Sequence, residues 1–140
     1  MKKIILFSAL FFLSLAAQAQ TTVAVQVENL KNDKGVCRAY LFDQPAYFPN
    51  KVEKALASKV VKISENKASL TFENVPAGTY AISVIHDENN NGKLDANMLG
   101  IPTESYGASK NALPSMRMPS FEANSFQVAQ EAQKLTIKIK

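Results

Sequence analysis

Apolar residues recur at every second position in several short runs of this sequence, and this period constrains the fold most. Val23, Val25 and Val27 alternate with polar or small residues. A period of two places successive side chains on opposite faces of a strand, so the run predicts a β-strand with one buried face. Residues 79–86 are apolar on both faces, which is typical of a central strand that is covered on both sides.

Turn residues separate the runs, and Asn32-Asp33-Lys34-Gly35 predicts a tight hairpin. The predicted strands cover residues 22–30, 36–42, 59–63, 69–73, 79–86, 125–129 and 134–140. Residues 51–58 are expected to form two helical turns, and residues 87–123 a long loop. The pattern predicts an all-β fold, a single antiparallel β-sandwich of about seven strands with one long loop. Its expected core consists of Val23, Val25, Val27, Leu41, Leu70, Phe72, Tyr80, Ile82 and Val84.

The N-terminus has the three parts of a secretory signal peptide. Lys2 and Lys3 are followed by the apolar residues 4–16 and then by Ala17-Gln18-Ala19, a small-residue cleavage site. The apolar run is too short to span a bilayer comfortably, so no transmembrane segment is expected in the mature chain. We therefore predict cleavage of residues 1–19, a single domain over residues 20–140, and export to the periplasm or beyond the cell.

Charge and cysteine content exclude several classes of function. Loss of Lys2 and Lys3 lowers the formal net charge from +4 to +2, which is too weak to indicate a nucleic-acid partner. Cys37 is the single cysteine, so an internal disulfide cannot form, and its apolar surroundings predict a buried, inert thiol.

Oxygen-bearing residues follow the predicted central strand at the spacing of a calcium loop. The expected ligands are four side chains and one main-chain carbonyl, from Asp87, Asn89, Asn91, Lys93 (carbonyl) and Asp95. Gly92 stands where such a loop turns most sharply, and glycine tolerates that turn. Met98 stands where a bidentate glutamate normally closes the site, so Glu104 or Glu88 would have to supply the absent carboxylate. A plain turn closed by Asn and Asp side chains is the alternative.

The motifs of this region carry a family resemblance. His86 to Asp95 (HDENNNGKLD) and Gly100 to Gly107 (GIPTESYG) closely resemble the uncharacterised bacterial domain-of-unknown-function family 2141. Phe72 to Ala81 (FENVPAGTYA) is similar to the stretch that leads into a central strand in prealbumin-like and carboxypeptidase-regulatory-like sandwiches. The resemblance implies a sandwich fold and an exported bacterial setting, but no activity. Ala108 and Met116-Arg117-Met118 depart from the family pattern.

The same loop also resembles the calcium loops of the B-type repeats of bacterial surface adhesins. That resemblance implies weak calcium binding through residues 87–98, again with Met98 in place of the closing glutamate.

Two functions remain open at this stage. The first is an exported, non-catalytic binding or structural module that meets an unknown protein or glycan at the 87–120 loop. The alternative is a periplasmic hydrolase that uses His86, Asp87 and Glu104. Adjacent strand residues point to opposite faces, which argues against a direct pair between His86 and Asp87. The sequence also lacks a Gly-x-Ser-x-Gly element, so the non-catalytic function is favoured.

Overall fold

A computed structural model describes residues 20–140, and the predicted signal peptide, residues 1–19, lies outside them. Eight strands, one short 3₁₀ helix and one short α-helix follow each other. In chain order they are β1 (Gln20–Glu28), β2 (Val36–Phe42), a 3₁₀ helix (Val52–Lys54), β3 (Ala57–Val61), β4 (Ala68–Pro76), β5 (Gly78–Asp87), β6 (Tyr106–Ala108), α1 (Phe121–Asn124), β7 (Phe126–Val128) and β8 (Gln133–Lys138).

The strands form two sheets that face each other as a β-sandwich, which confirms the predicted fold class. One sheet has the order β4-β1-β8, and the other has the order β3-β2-β5-β6, with β7 beside the first residues of β5. All pairs are antiparallel except β1 with β8, which run parallel.

The predicted core lies between the two sheets. All nine predicted residues are buried, with Val23, Val27, Ile82 and Val84 at 0% exposure. They belong to one apolar cluster that joins β1 and β4 to β2 and β5. The predicted inward face of these strands is therefore correct, since a slip of one residue would have turned these side chains to the other face.

A second apolar cluster covers the outer face of the five-stranded sheet, the face that points away from the three-stranded sheet. Phe42 of β2 packs edge-on against Phe48, with ring centroids 5.6 Å apart, and Phe48 packs in the same way against Phe121 at 6.0 Å. Leu113 and Ile85 belong to the same cluster. The segments that carry Phe48, Leu113 and Phe121, the last of them in α1, therefore form a third layer, which explains why β5 is apolar on both faces.

The local differences from the prediction have tertiary causes. The expected helical turns over 51–58 are wrong, because only residues 52–54 form a 3₁₀ helix and Ala57 and Ser58 already pair with β2. β6 falls inside the predicted loop, and its three residues are too few for a visible alternation. Pairing with a neighbouring strand overrides local preference in both places.

β6 also joins the two sheets at one end of the sandwich. Tyr106 and Lys140 exchange two backbone hydrogen bonds of 3.0 Å, while Ile139 donates to the carbonyl of Glu28 in β1. Gly107 faces the core here, and a Cβ at this position would lie 2.8 Å from Cγ2 of Ile137. The close approach of β6 to β8 therefore requires glycine at this position.

Candidate functional site

Asp87 is the last residue of β5, and its side chain is completely buried on the outer face. It accepts a hydrogen bond from Nε of Arg38 on the neighbouring strand. Its two oxygens also accept the backbone N–H groups of Asn91 at 3.0 Å and Gly92 at 2.8 Å. Arg38 donates a further bond, of 2.7 Å, to Oδ1 of Asn90. This carboxylate therefore closes the turn that leaves the sheet.

Several opposing effects act on the pKa of Asp87. Burial of the carboxylate is the largest and raises the pKa, because it disfavours the charged form. The hydrogen bond from Arg38, the two N–H groups and the guanidinium charge lower it, and together they outweigh burial. The pKa of Asp87 therefore lies below its ordinary value, and the carboxylate is charged at neutral pH.

Glu104 ties two points of the predicted calcium loop together, at Glu88 and at Asp95. Its side chain is buried, with Oε1 accepting the N–H of Glu88 at 2.9 Å and Oε2 accepting the N–H of Asp95 at 3.0 Å. The next residue, Ser105, accepts the N–H of His86 at 2.9 Å. Both oxygens of Glu104 are thus used in fixing the backbone, which sequence reasoning missed when it treated this residue as a spare ligand or a catalytic group.

Three of the predicted calcium ligands meet at one point of the loop. Asp95 accepts hydrogen bonds from the side-chain amide of Asn89 at 2.6 Å and from that of Asn91 at 2.8 Å. The oxygen of Asn91 accepts the N–H of Lys93 at 2.9 Å. Asp87 is engaged instead by Arg38 and the backbone. The loop thus brings Asn89, Asn91 and Asp95 together, while Asp87 anchors it to the sheet.

Neither of the other groups near this loop completes the ligand set. Met98 is fully exposed. Glu88 turns away to the hairpin before β2, where it accepts from Asn32 at 3.1 Å and Lys31 at 3.4 Å, and the bond from Asn32 is the main cause that lowers its pKa. Residues 20–140 contain no group of three His, Cys, Asp or Glu side chains placed to hold a metal ion. A cation at this loop would depend on amide and backbone oxygens as well.

His86 lies on the opposite side of β5, inside the sandwich. It is 0% exposed, and its Nε2 lies 3.0 Å from the carbonyl of Lys34. Its Nδ1 is buried without a hydrogen-bond partner in the described part of the chain. Cys37 is its partner in the β2–β5 register, and burial raises the pKa of that thiol to about 12. The structure therefore does not bring His86 together with Asp87 and Glu104, and the Cys37 thiol is buried and protonated at neutral pH.

A cleft lies beside the loop on the outer face of the five-stranded sheet, with a volume of about 350 Å³. Ile85 and Tyr106 of β5 and β6 contribute to its lining. Its other apolar lining residues come from β5, the 3₁₀ helix and the loops, and are Pro49, Val52, Val84, Leu94, Ala96, Pro102, Met118 and Pro119. Because these residues are far apart in sequence, no local pattern predicted the cleft.

Large apolar side chains stand exposed on the loops around this cleft, at Met98, Leu99, Ile101, Met116 and Met118. A protein surface normally carries exposed apolar residues singly, whereas these five are concentrated on two loops. No helix within residues 20–140 has the length and hydropathy required to cross a membrane.

We predict that Glu104→Gln destabilises the protein by about 1–3 kcal/mol. The substitution replaces one carboxylate oxygen with an NH₂ group that cannot accept an N–H, so the amide of Glu88 or Asp95 loses its partner. Urea unfolding would measure the loss, and hydrogen exchange would show faster exchange at those two amides. Glu122→Gln, at an exposed position, is the control. Equal stability of the two variants would contradict the role assigned to Glu104.

We also predict that Asp87 makes the protein acid-sensitive. Its pKa is lower in the folded state than the ordinary 3.8, so its contribution to stability is complete above that value. The contribution is lost as the pH falls through 3.8 and then through the lower folded value. Thermal melts between pH 7 and pH 2 should show a smaller acid-induced loss for Asp87→Asn than for the wild type.

The matched control is Asp43→Asn, which removes an exposed carboxylate. Its acid-induced loss should equal that of the wild type. If Asp87→Asn and the wild type lose the same stability between pH 7 and pH 2, the paired carboxylate does not stabilise the fold.

Comparison with known proteins identifies a family for this chain. Residues 25–136 match the model of a family described as uncharacterised proteins conserved in bacteria, DUF2141. The matched segment runs from β1 into β8, so it includes both sheets, the loop and the cleft. Neither the curated proteins nor the solved structures contain a match to the chain. The chain therefore belongs to this bacterial family, the domain of unknown function 2141.

Proposed function

We propose that the protein is an exported, non-catalytic binding module that takes an apolar group of its partner into the outer-face cleft. The cleft itself is the observation that carries this proposal. Its volume of about 350 Å³ lies in the range of small-ligand pockets, and side chains such as Val52, Leu94 and Met118 make its lining mostly apolar. An apolar group that enters such a cleft gains free energy by leaving water.

The walls of the cleft are held in place without a ligand. Glu104 fixes the backbone at both ends of the 88–95 loop, and Asp87 fixes the turn between them. On the other side, Phe48 anchors its loop and Phe121 anchors α1 in the second apolar cluster. A preformed site loses little conformational entropy when it binds, which favours affinity.

The chemistry of the cleft favours an apolar protein side chain or small molecule over a glycan. Sugar hydroxyls that enter a mostly apolar cleft lose hydrogen bonds to water, and the few polar side chains of the lining, those of Asn50, Ser83, Lys93 and Tyr106, replace only some of them. The exposed Met98, Leu99 and Met116 beside the cleft would extend the contact with a larger partner.

Two further parts of the proposal have separate support. Export is supported by the signal-peptide pattern of residues 1–19. A non-catalytic role is supported by the positions of His86, Asp87 and Glu104, since the first lies in the inter-sheet core and the other two have their oxygens engaged in the loop. A histidine base acts only within hydrogen-bond reach of the group it deprotonates.

We include weak calcium binding by the 87–98 loop in the proposal. Asp95 already bonds to the side chains of Asn89 and Asn91. Rotation of each side-chain amide by half a turn would point its oxygen, instead of its nitrogen, toward a bound cation. The positive charge of Arg38 lies against Asp87 and opposes a second cation there. We therefore expect calcium binding that is weak among protein calcium sites, with a dissociation constant on the order of 10⁻⁴–10⁻³ M.

The cleft is tested with a neutral fluorescent naphthylamine probe. We expect the probe to bind the folded protein and to gain fluorescence, because it would leave water for an apolar site. Met118→Asp places a carboxylate in the cleft lining and should weaken binding by about tenfold or more. Met116→Asp is the matched control, because this residue is 97% exposed and does not line the cleft.

The probe experiment has two outcomes that would overturn the proposed function. The first is the absence of binding to the folded wild type. The second is an equal loss of affinity in Met116→Asp and Met118→Asp, which would place the probe outside the cleft.

Calcium binding is tested by thermal melting with and without the ion. At ten times its dissociation constant, calcium should stabilise the folded state by about 1.4 kcal/mol, which is a shift of several degrees for a domain of this size. Asp95→Asn should abolish the shift and leave the calcium-free melt nearly unchanged, because its partners are exposed side-chain amides. Asp87→Ala is less suitable, since Asp87 is buried against Arg38.

Asp43→Asn serves as the control for general charge effects and should respond to calcium like the wild type. If millimolar calcium does not raise the melting temperature of the wild type, the loop does not bind calcium and is a plain turn. The binding proposal for the cleft would be unaffected by that result.

A further inference from the structure

The cleft has basic residues at its rim. Lys93 lies among the residues that line it, Lys51 stands between the lining residues Asn50 and Val52, and Arg117 precedes Met118. All three side chains are exposed. The ion pairs within residues 20–140 are Lys31–Glu88 and Arg38–Asp87, so these three cations have no anionic partner in that part of the chain.

The acidic residues near the cleft only partly offset this charge. Asp95 stands between the lining residues Leu94 and Ala96, and Glu53 follows Val52, so two carboxylates stand against three cations at the rim. Within residues 20–140, Lys93 is the only charged residue that lines the cleft itself. The cleft thus combines apolar walls with a rim of net positive charge.

From this combination we infer that the ligand of the cleft is a small amphiphile with one anionic head, specifically a medium-chain carboxylate. The inference rests on the proposed function, because it requires the cleft to bind an apolar group. The apolar chain occupies the space between Val52, Leu94 and Met118, and the carboxylate lies at the rim beside Lys93. The volume of about 350 Å³ restricts the ligand to a small molecule.

Tyr106 is a second group suited to the head of the ligand. It is half-buried and lines the cleft, and its phenol is a donor that a carboxylate accepts. Lys51 contributes charge from farther away, because its Nζ lies over the ring of Tyr47, 5.8 Å from the ring centroid. A negative head therefore meets one lysine directly and a positive field around it.

Competition against the naphthylamine probe tests the inference with three ligands of the same chain length. Octanoate carries a negative head, octanol a neutral head and octylammonium a positive head. We expect octanoate to displace the probe at the lowest concentration and octylammonium at the highest. Because the rim is exposed, the preference of octanoate over octanol should be about fivefold or less, and it should shrink as salt is added.

Lys93→Met is the informative variant. It removes the charge but keeps an unbranched side chain, one atom shorter, and the backbone N–H that bonds to Asn91. We expect it to abolish the preference for octanoate while leaving the affinity for octanol unchanged. Lys110→Met, at an exposed position that does not line the cleft, is the matched control and should behave like the wild type.

The outcomes separate this inference from the proposed function. If neither the probe nor octanol binds, the proposed function fails. If octanol binds as well as octanoate in the wild type, or if octylammonium binds better, the anionic head is wrong and the apolar cleft remains. If Lys93→Met weakens octanol and octanoate equally, the substitution disturbs the cleft itself, and the role of Lys93 as the partner of a carboxylate is overturned.

Discussion

The side chain of Asp87 lies wholly out of solvent where β5 ends, and a carboxylate in that position costs several kcal/mol unless charged or hydrogen-bonding partners surround it. Arg38 and the amides of Asn91 and Gly92 are those partners. Because they come from the next strand and from the residues that follow β5, satisfying one buried charge forces the chain to turn back over the sheet. The position of every later residue in the loop depends on that turn.

Glu104 extends the same principle across the loop. Its two oxygens accept amides that are seven residues apart in sequence, Glu88 and Asp95, so the loop is closed by one side chain rather than by a strand pair. The exposed Met98 and Leu99 lie on the turn that follows, which is closed by backbone hydrogen bonds instead: Thr103 donates to the carbonyl of Asp95 at 2.8 Å, and Asn97 donates to that of Ile101 at 2.9 Å.

How far the structure could be predicted follows from the range of the interactions. The inter-sheet core was predicted because residues such as Val23, Val25 and Val27 show their buried face through a local alternation. The outer-face layer was not predicted. Phe48 and Phe121 are in contact although they lie more than seventy residues apart in sequence, and no local periodicity marks either of them. The calcium spacing was visible, but the engagement of Asp87 by Arg38 depends on the register between β2 and β5.

The single parallel pair, β1 with β8, has a consequence for the order of folding. β1 has β4 on one side and β8 on the other, and the latter is the last strand in the chain. The three-stranded sheet therefore cannot be completed before residue 138 has been synthesised, and until then one edge of β1 is open. Contacts between such distant segments slow folding, since a long loop must close first. Until β8 covers it, the open edge of β1 can pair with a strand of another chain, so the late completion of this sheet carries a risk of aggregation.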